Sequence, residues 1–267
     1  MRIVVCVKHV PDIQSERSLG SDGRVIRDGG DGTLNELDEN AVEAALTLLE
    51  AHVDAGGTGE VLALTVGPDD AEDAVRRAMQ MGADAGIHVL DDAIAGSDVF
   101  GTAAILAAAI RQLGAQAPID LVVTGMAALD GQTSMLPAAL AYALDLPQLT
   151  LAAEVAIDGD TVRVRRELDT ASEILTASLP ALVSVTDQAN EPRYPNFKGI
   201  MAARKKPVTV LALADLGIDP ATVGAARART EVLDAAARPA RENRILVTDD
   251  GTAGRQLAEY LVANKLV

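Results

Sequence analysis

Short β-branched runs alternate along the chain with longer stretches in which apolar residues recur at helical spacing, the pattern of βαβ units that build a parallel sheet. The runs at 3–7, 61–66, 86–90 and 121–124 read as strands. Between the second and third, Pro68 marks a helix start, Ala71, Ala74, Val75, Ala78 and Met79 share one stripe, and Gly82 ends it. The preceding helix opens at Asn35, a residue type suited to an N-cap, carries Leu37, Ala41, Ala45, Leu48, Leu49 and His52, and closes at Gly56-Gly57. Ser97 is placed to cap a third helix over 99–113, alanine-rich enough to pack closely on its neighbours. Right-handed crossovers set these helices on both faces of an open, mostly parallel sheet, so the fold class is α/β.

After Pro147 the period changes to two. Val162 and Val164 alternate with Arg163 and Arg165, and Asp158-Gly159 reads as the turn of an added antiparallel hairpin region. A strand at 181–186 then returns to the core. Periodicity weakens beyond Ala212 until a helix over 252–264. The expected division is an α/β domain over 1–212 and an extended C-terminal arm over 213–267, a tail that lies on a partner or on its own domain rather than building a core.

Composition narrows the function. Net charge is −16 over 267 residues, which repels phosphate backbones and anionic lipid faces. Aromatics are only 2% of the chain, too few for the stacking platforms of single-strand binders. One cysteine excludes a disulfide framework, and the start, Met1-Arg2 running straight into Ile3-Val4-Val5-Cys6-Val7, has no signal-peptide pattern. The expectation is a soluble cytoplasmic protein that binds no nucleic acid.

Dinucleotide and P-loop phosphate motifs and the G-x-S-x-G elbow are absent from the sequence. His9, His52 and His88 have no metal-ligand spacing and are read as structural. What is left is a pocket at the carboxyl ends of the strands, where open α/β sheets collect ligands. Four segments arrive there: Cys6-Val7-Lys8, residues 35–38, Thr65-Val66-Gly67, and the run from Thr124 to Ser134. Gly125 lets backbone approach a ligand, and Gly131-Gln132-Thr133-Ser134 offers N–H groups and hydroxyls at a helix opening, suited to an anion. An ordinary capped loop has the same composition.

A second segment stands outside the acidic background. Residues 189–207 carry two internal prolines, Tyr194, Phe197 and the cations Arg204, Lys205 and Lys206, and read as a structured loop leading into a short helix. Phe197 is either an exposed interface side chain or a buried anchor.

The string from Asn190 to Lys206, N-E-P-R-Y-P-N-F-K-G-I-M-A-A-R-K-K, resembles the signature of the electron-transfer flavoprotein β subunit. Further family blocks are similar to Lys8-His9-Val10-Pro11-Asp12, Asp38-Glu39-Asn40-Ala41-Val42-Glu43-Ala44, Met81-Gly82-Ala83-Asp84, Arg166-Glu167-Leu168-Asp169, Leu179-Pro180-Ala181 and Asp215-Leu216-Gly217-Ile218-Asp219, in order across 1–219. The resemblance implies a heterodimer with an α subunit that holds most of a redox-active FAD, while this chain binds AMP as a structural ligand. Carried over, the AMP site is Cys6, Asn35, Leu37, Asp38, Val66, Gly125, Met126, Ala127, Asp130, Gly131, Gln132, Thr133 and Ser134. The family's recognition loop falls on 190–201, with Phe197 as the anchor and Tyr194, Pro195, Ile200 and Met201 around it. Glu167 falls where the family places a carboxylate for an arginine of the mobile flavin domain. The implied role is electron transport in fatty acid oxidation, from acyl-CoA and related dehydrogenases to a quinone oxidoreductase, by a carrier that is not itself an enzyme. Two alternatives are a bifurcating relative with a second FAD in the AMP site and, from another class, a universal-stress-type module binding ATP.

Overall fold

The computed structural model describes residues 1–267 except 16, 28, 237, 241 and 243. Its centre is β1 (Arg2–Cys6), whose side chains Ile3, Val4 and Val5 are wholly buried. Such a strand is apolar at successive positions because helices cover both of its faces. β2 (His9–Pro11) and β3 (Gly32–Leu34) then form a small antiparallel sheet that brings the chain back to the start of α1 (Glu36–Asp54). β4 (Glu60–Val66), α2 (Glu72–Met81), β5 (Ala85–Val89), α3 (Val99–Gln116), β6 (Leu121–Gly125) and α4 (Leu136–Leu144) continue the alternation. β7 (Gln148–Asp158), β8 (Thr161–Glu167) and β9 (Ser172–Ser178) form an antiparallel meander, one strand more than the expected hairpin. β10 (Ala181–Val185), α5 (Phe197–Ala203), β11 (Val208–Leu211) and α6 (Ala253–Ala263) complete the chain.

The nine-stranded sheet runs β11-β5-β4-β1-β6-β10-β7-β8-β9, and it is parallel from β11 through β7. From β1 the chain winds outward to β4 and β5, then crosses back to β6 on the other side of β1. The strand order therefore reverses between β1 and β6, which is where such sheets open a crevice. Alternate residues of each strand serve opposite layers. Val5, Ala63 and Val123 pack under α1 and α2, whereas Val4, Leu62, Leu64 and Val122 pack with Ala103, Ala107 and Ile110 of α3 and Leu140 of α4.

The α2 stripe from Ala71 to Met79 is buried throughout, and Gly82 ends the helix at a φ of 150°. Two capping expectations change. Asp98 rather than Ser97 caps α3, its carboxylate accepting from the N–H groups of Phe100 and Gly101 at 3.0 Å each. Ser97 instead accepts the N–H of Gly224. Asn35 occupies the N-cap position of α1 without a side-chain cap bond, because its amide is used elsewhere.

The chain divides into two contact-defined units, Met1–Leu233 and Asp234–Val267. Within the first, Leu213 and Val223 belong to the α3/α4 core and the Arg229 N–H bonds Asp98, so the stretch just after Ala212 is part of the α/β body. The second unit holds α6, none of whose residues is buried. Among the described residues no helix is long and apolar enough to cross a membrane.

Candidate functional site

Three neighbouring strands end side by side at Cys6, Val66 and Gly125, and α1 begins beside them. Gly125 is required by close packing: a Cβ there would lie 2.5 Å from Asp38 Oδ1 and 2.7 Å from the Leu37 carbonyl oxygen. Asp38 is buried, and its carboxylate accepts the N–H of Lys8 at 2.9 Å, so the first turn of α1 holds the chain where it leaves β1. Burial pushes the Asp38 pKa up to about 7, outweighing the bonds from Asn35 and Lys8 that favour its charge.

Asn35 is wholly buried and spends its amide on the loop after β6, donating to the Ala127 carbonyl at 2.9 Å and accepting the Leu129 N–H at 3.0 Å. Asp130 closes that loop. Its side chain is fully buried beneath Lys8 Nζ at 2.8 Å and Arg27 Nε at 2.6 Å. Burial raises the Asp130 carboxyl, but Lys8 and then Arg27 more than offset it and hold it below the usual carboxylate range. Arg17 adds a bond to the Leu129 carbonyl, so the 12–31 excursion is fastened to the same loop. Cys6 is buried, and burial, with Asp38 nearby, pushes its thiol up to about 12. It serves as apolar lining and stays protonated.

The structure brings Cys6, Asn35, Leu37, Asp38, Gly125, Ala127 and Asp130 into this crevice, with Val66 on the adjacent strand end and Met126 half-buried. Gly131, Gln132, Thr133 and Ser134 are exposed, and they do not open a helix. Gln132 and Ser134 have φ of 48° and 50°, values that break a helix, and α4 begins only at Leu136. The Gly131 and Gln132 N–H groups are already donated, to Asp130 at 2.7 Å and to Ala128 at 2.8 Å. Sequence reasoning missed Arg27, which meets Asp130 from far along the chain, and it placed Thr124 only as the first residue of the run after β6. Thr124 Oγ1 is buried with no partner, a hydroxyl able to take a bond from a ligand. His88 and His9 are structural: His88 bonds the Gly67 carbonyl at 3.0 Å and His9 packs on Gly32.

The segment 190–206 forms a second surface. Asn190 and Asn40 exchange side-chain-to-backbone bonds at 2.9 and 3.0 Å. Arg193 forks onto Glu43 at 2.7 and 2.9 Å and onto Glu50 at 2.6 and 3.0 Å. Burial raises Glu43, yet Arg193 holds it below its ordinary value; Arg193 holds Glu50 down as well. Gly199 packs against the Gln80 carbonyl of α2, and Lys206 caps that helix through the carbonyls of Gly82 and Ala83. Lys206 is therefore a fixing, while Lys198, Arg204 and Lys205 are exposed. Above the fixings, Tyr194 is 87% and Phe197 79% exposed, with Met201 exposed and Ile200 and Pro195 half-buried. Phe197 is not a buried anchor. Glu167, at the end of β8, pairs with Arg165 and accepts the Ser172 hydroxyl.

Fold and crevice define a doubly wound α/β protein with a polar strand-end site. A family model described as the electron transfer flavoprotein domain matches residues 22–216. Over 266 residues, 99% of each chain, this protein is 44% identical to electron transfer flavoprotein subunit beta of Mycobacterium bovis. It is 34% identical over 274 residues, 100% of each chain, to the subunit of that name from Megasphaera elsdenii. It is also 34% identical, over 98% of this chain and 97% of the relative, to the caffeyl-CoA reductase-Etf complex subunit CarD of Acetobacterium woodii. The chain belongs to the electron transfer flavoprotein β-subunit family. That membership sets aside the universal-stress-type alternative.

Proposed function

We propose that this chain is the β subunit of a cytoplasmic αβ electron carrier that takes electrons from acyl-CoA and related dehydrogenases and delivers them to a quinone oxidoreductase. The observation that carries the reading is likeness to a β subunit at 44% identity spread over 99% of the chain. FAD, held mostly by the α subunit, supplies the electron-accepting ring; this chain runs no catalytic reaction of its own. Its strand-end crevice binds AMP. The residues fit such a ligand: Thr124 Oγ1 is a buried hydroxyl without a protein partner, Gly125 lets the start of α1 pack against the end of β6 and so shapes the crevice wall, and Lys8 and Arg27, gathered on Asp130, offer positive charge to a phosphate. Phe197, with Tyr194 and Met201, docks on dehydrogenases, Glu167 exchanges its Arg165 partner for an arginine of the flavin domain, and α6 lies on the α subunit.

The test is to co-express the chain with its α subunit, denature the complex and identify what is released by mass and absorbance. One FAD and one AMP per heterodimer is the expected result. Two FAD would establish the bifurcating alternative, and stoichiometric FAD on the β chain alone would overturn the division of labour. Gly131→Val locates the nucleotide: open space surrounds Gly131, so the added side chain strains nothing and loss of AMP would report a blocked site.

A further inference from the structure

The fixings beneath the 190–206 segment are stronger than the fold needs. α5 contributes only Ala203 to the core, yet the chain before it is held by a guanidinium whose two edges engage two carboxylates, Glu43 and Glu50, seven positions apart on one face of α1. The backbone N–H of Arg193 also bonds Glu43, at 3.1 Å. Glu43 is nearly buried, with 11% of its side chain exposed, and Glu50 is 57% exposed, so the fork spans from core to solvent and fixes both position and tilt. Tyr194 follows directly, and three residues beyond it stands Phe197, the first residue of α5. A segment that shows aromatic side chains to water without such a brace would have to be ordered at each encounter, and that ordering is charged against binding.

We propose that Arg193, with Glu43 and Glu50, is a positioning residue for partner docking: the fork touches no partner, but it sets the direction in which α5 presents Phe197. The inference rests on the reading of α5 as the docking element. A lysine at 193 supplies one point charge and cannot hold two carboxylates in a plane, so charge alone does not substitute for the fork.

The heterodimer, reduced by an acyl-CoA dehydrogenase and its acyl-CoA substrate, provides the test. Arg193→Lys is expected to raise the KM for the carrier about tenfold at unchanged kcat and flavin absorbance, and Glu50→Gln about threefold. In the Phe197→Ala background, Arg193→Lys should change KM less than twofold, because there is no longer an anchor to aim. If Arg193→Lys destabilises the chain, Glu50→Gln, on the solvent side of the fork, carries the same comparison. A KM within about 1.5-fold of the parent in the lysine and glutamine variants, with Phe197→Ala still impaired, would overturn the positioning role and leave the docking reading intact. Full additivity with Phe197→Ala would also overturn it. A Phe197→Ala carrier with the parent's KM would sink the docking reading itself.

Discussion

The crevice at the strand ends and the segment over α1 and α2 use polar groups in opposite senses. In the crevice, Asn35, Asp38 and Asp130 are buried and their bonds hold the walls of a site that faces inward. In the 190–206 segment, Asn190, Arg193 and Lys206 lie underneath as fixings, and the apolar side chains Phe197 and Tyr194 face water. A buried polar group without its partner costs more than an exposed apolar one, so the two regions should respond differently to mutation.

Asn35→Leu should have the largest effect. It leaves the Ala127 carbonyl and Leu129 N–H unpaired and costs about 3 kcal/mol in urea denaturation, with nucleotide lost as the loop opens. Gly125→Ala comes next, at about 2 kcal/mol, because the new methyl meets backbone and a fixed carboxylate. Asp38→Asn sharpens the comparison through pH. The folded protein holds the Asp38 proton to about pH 7, whereas the unfolded chain releases it near 3.8, so the folded state binds more protons in between and loses stability as pH rises through that window. The asparagine variant is free of that loss. Its stability relative to the parent should climb by up to about 1.4 kcal/mol per pH unit and level off above pH 7. Phe197→Ala should change stability least, within about 0.5 kcal/mol, while raising the carrier's KM. A Phe197→Ala penalty as large as that of Asn35→Leu would break the comparison.

The central strands and the α2 stripe were legible because burial on both faces, or on one helical face, imprints a local period. The same rule placed the crevice, since strand ends and a topological reversal follow from the order of elements. β2, β3 and β11 are three or four residues long and exist only through pairing with distant chain, so no local period marks them. The site's ion pairs are likewise non-local: Arg27 meets Asp130 across 103 positions and Arg193 meets Glu43 across 150. Glu43 and Glu50 do lie seven apart on one helix face, a spacing that marks a shared partner once the helix is known. The misplaced helix opening at 131–134 came from reading hydroxyl and glycine composition where left-handed backbone at Gln132 and Ser134 decided the outcome.

The buried Cys6 gives the protein a built-in clock. It is the sole cysteine, it sits at the end of the central strand, and its thiol is held protonated. A disulfide reagent in solution meets a thiolate only when β1 parts from its neighbours and Cys6 reaches water. The rate at which the thiol is titrated therefore counts openings of the middle of the sheet, with no label and no mutation, and any ligand that holds the crevice shut should slow the count.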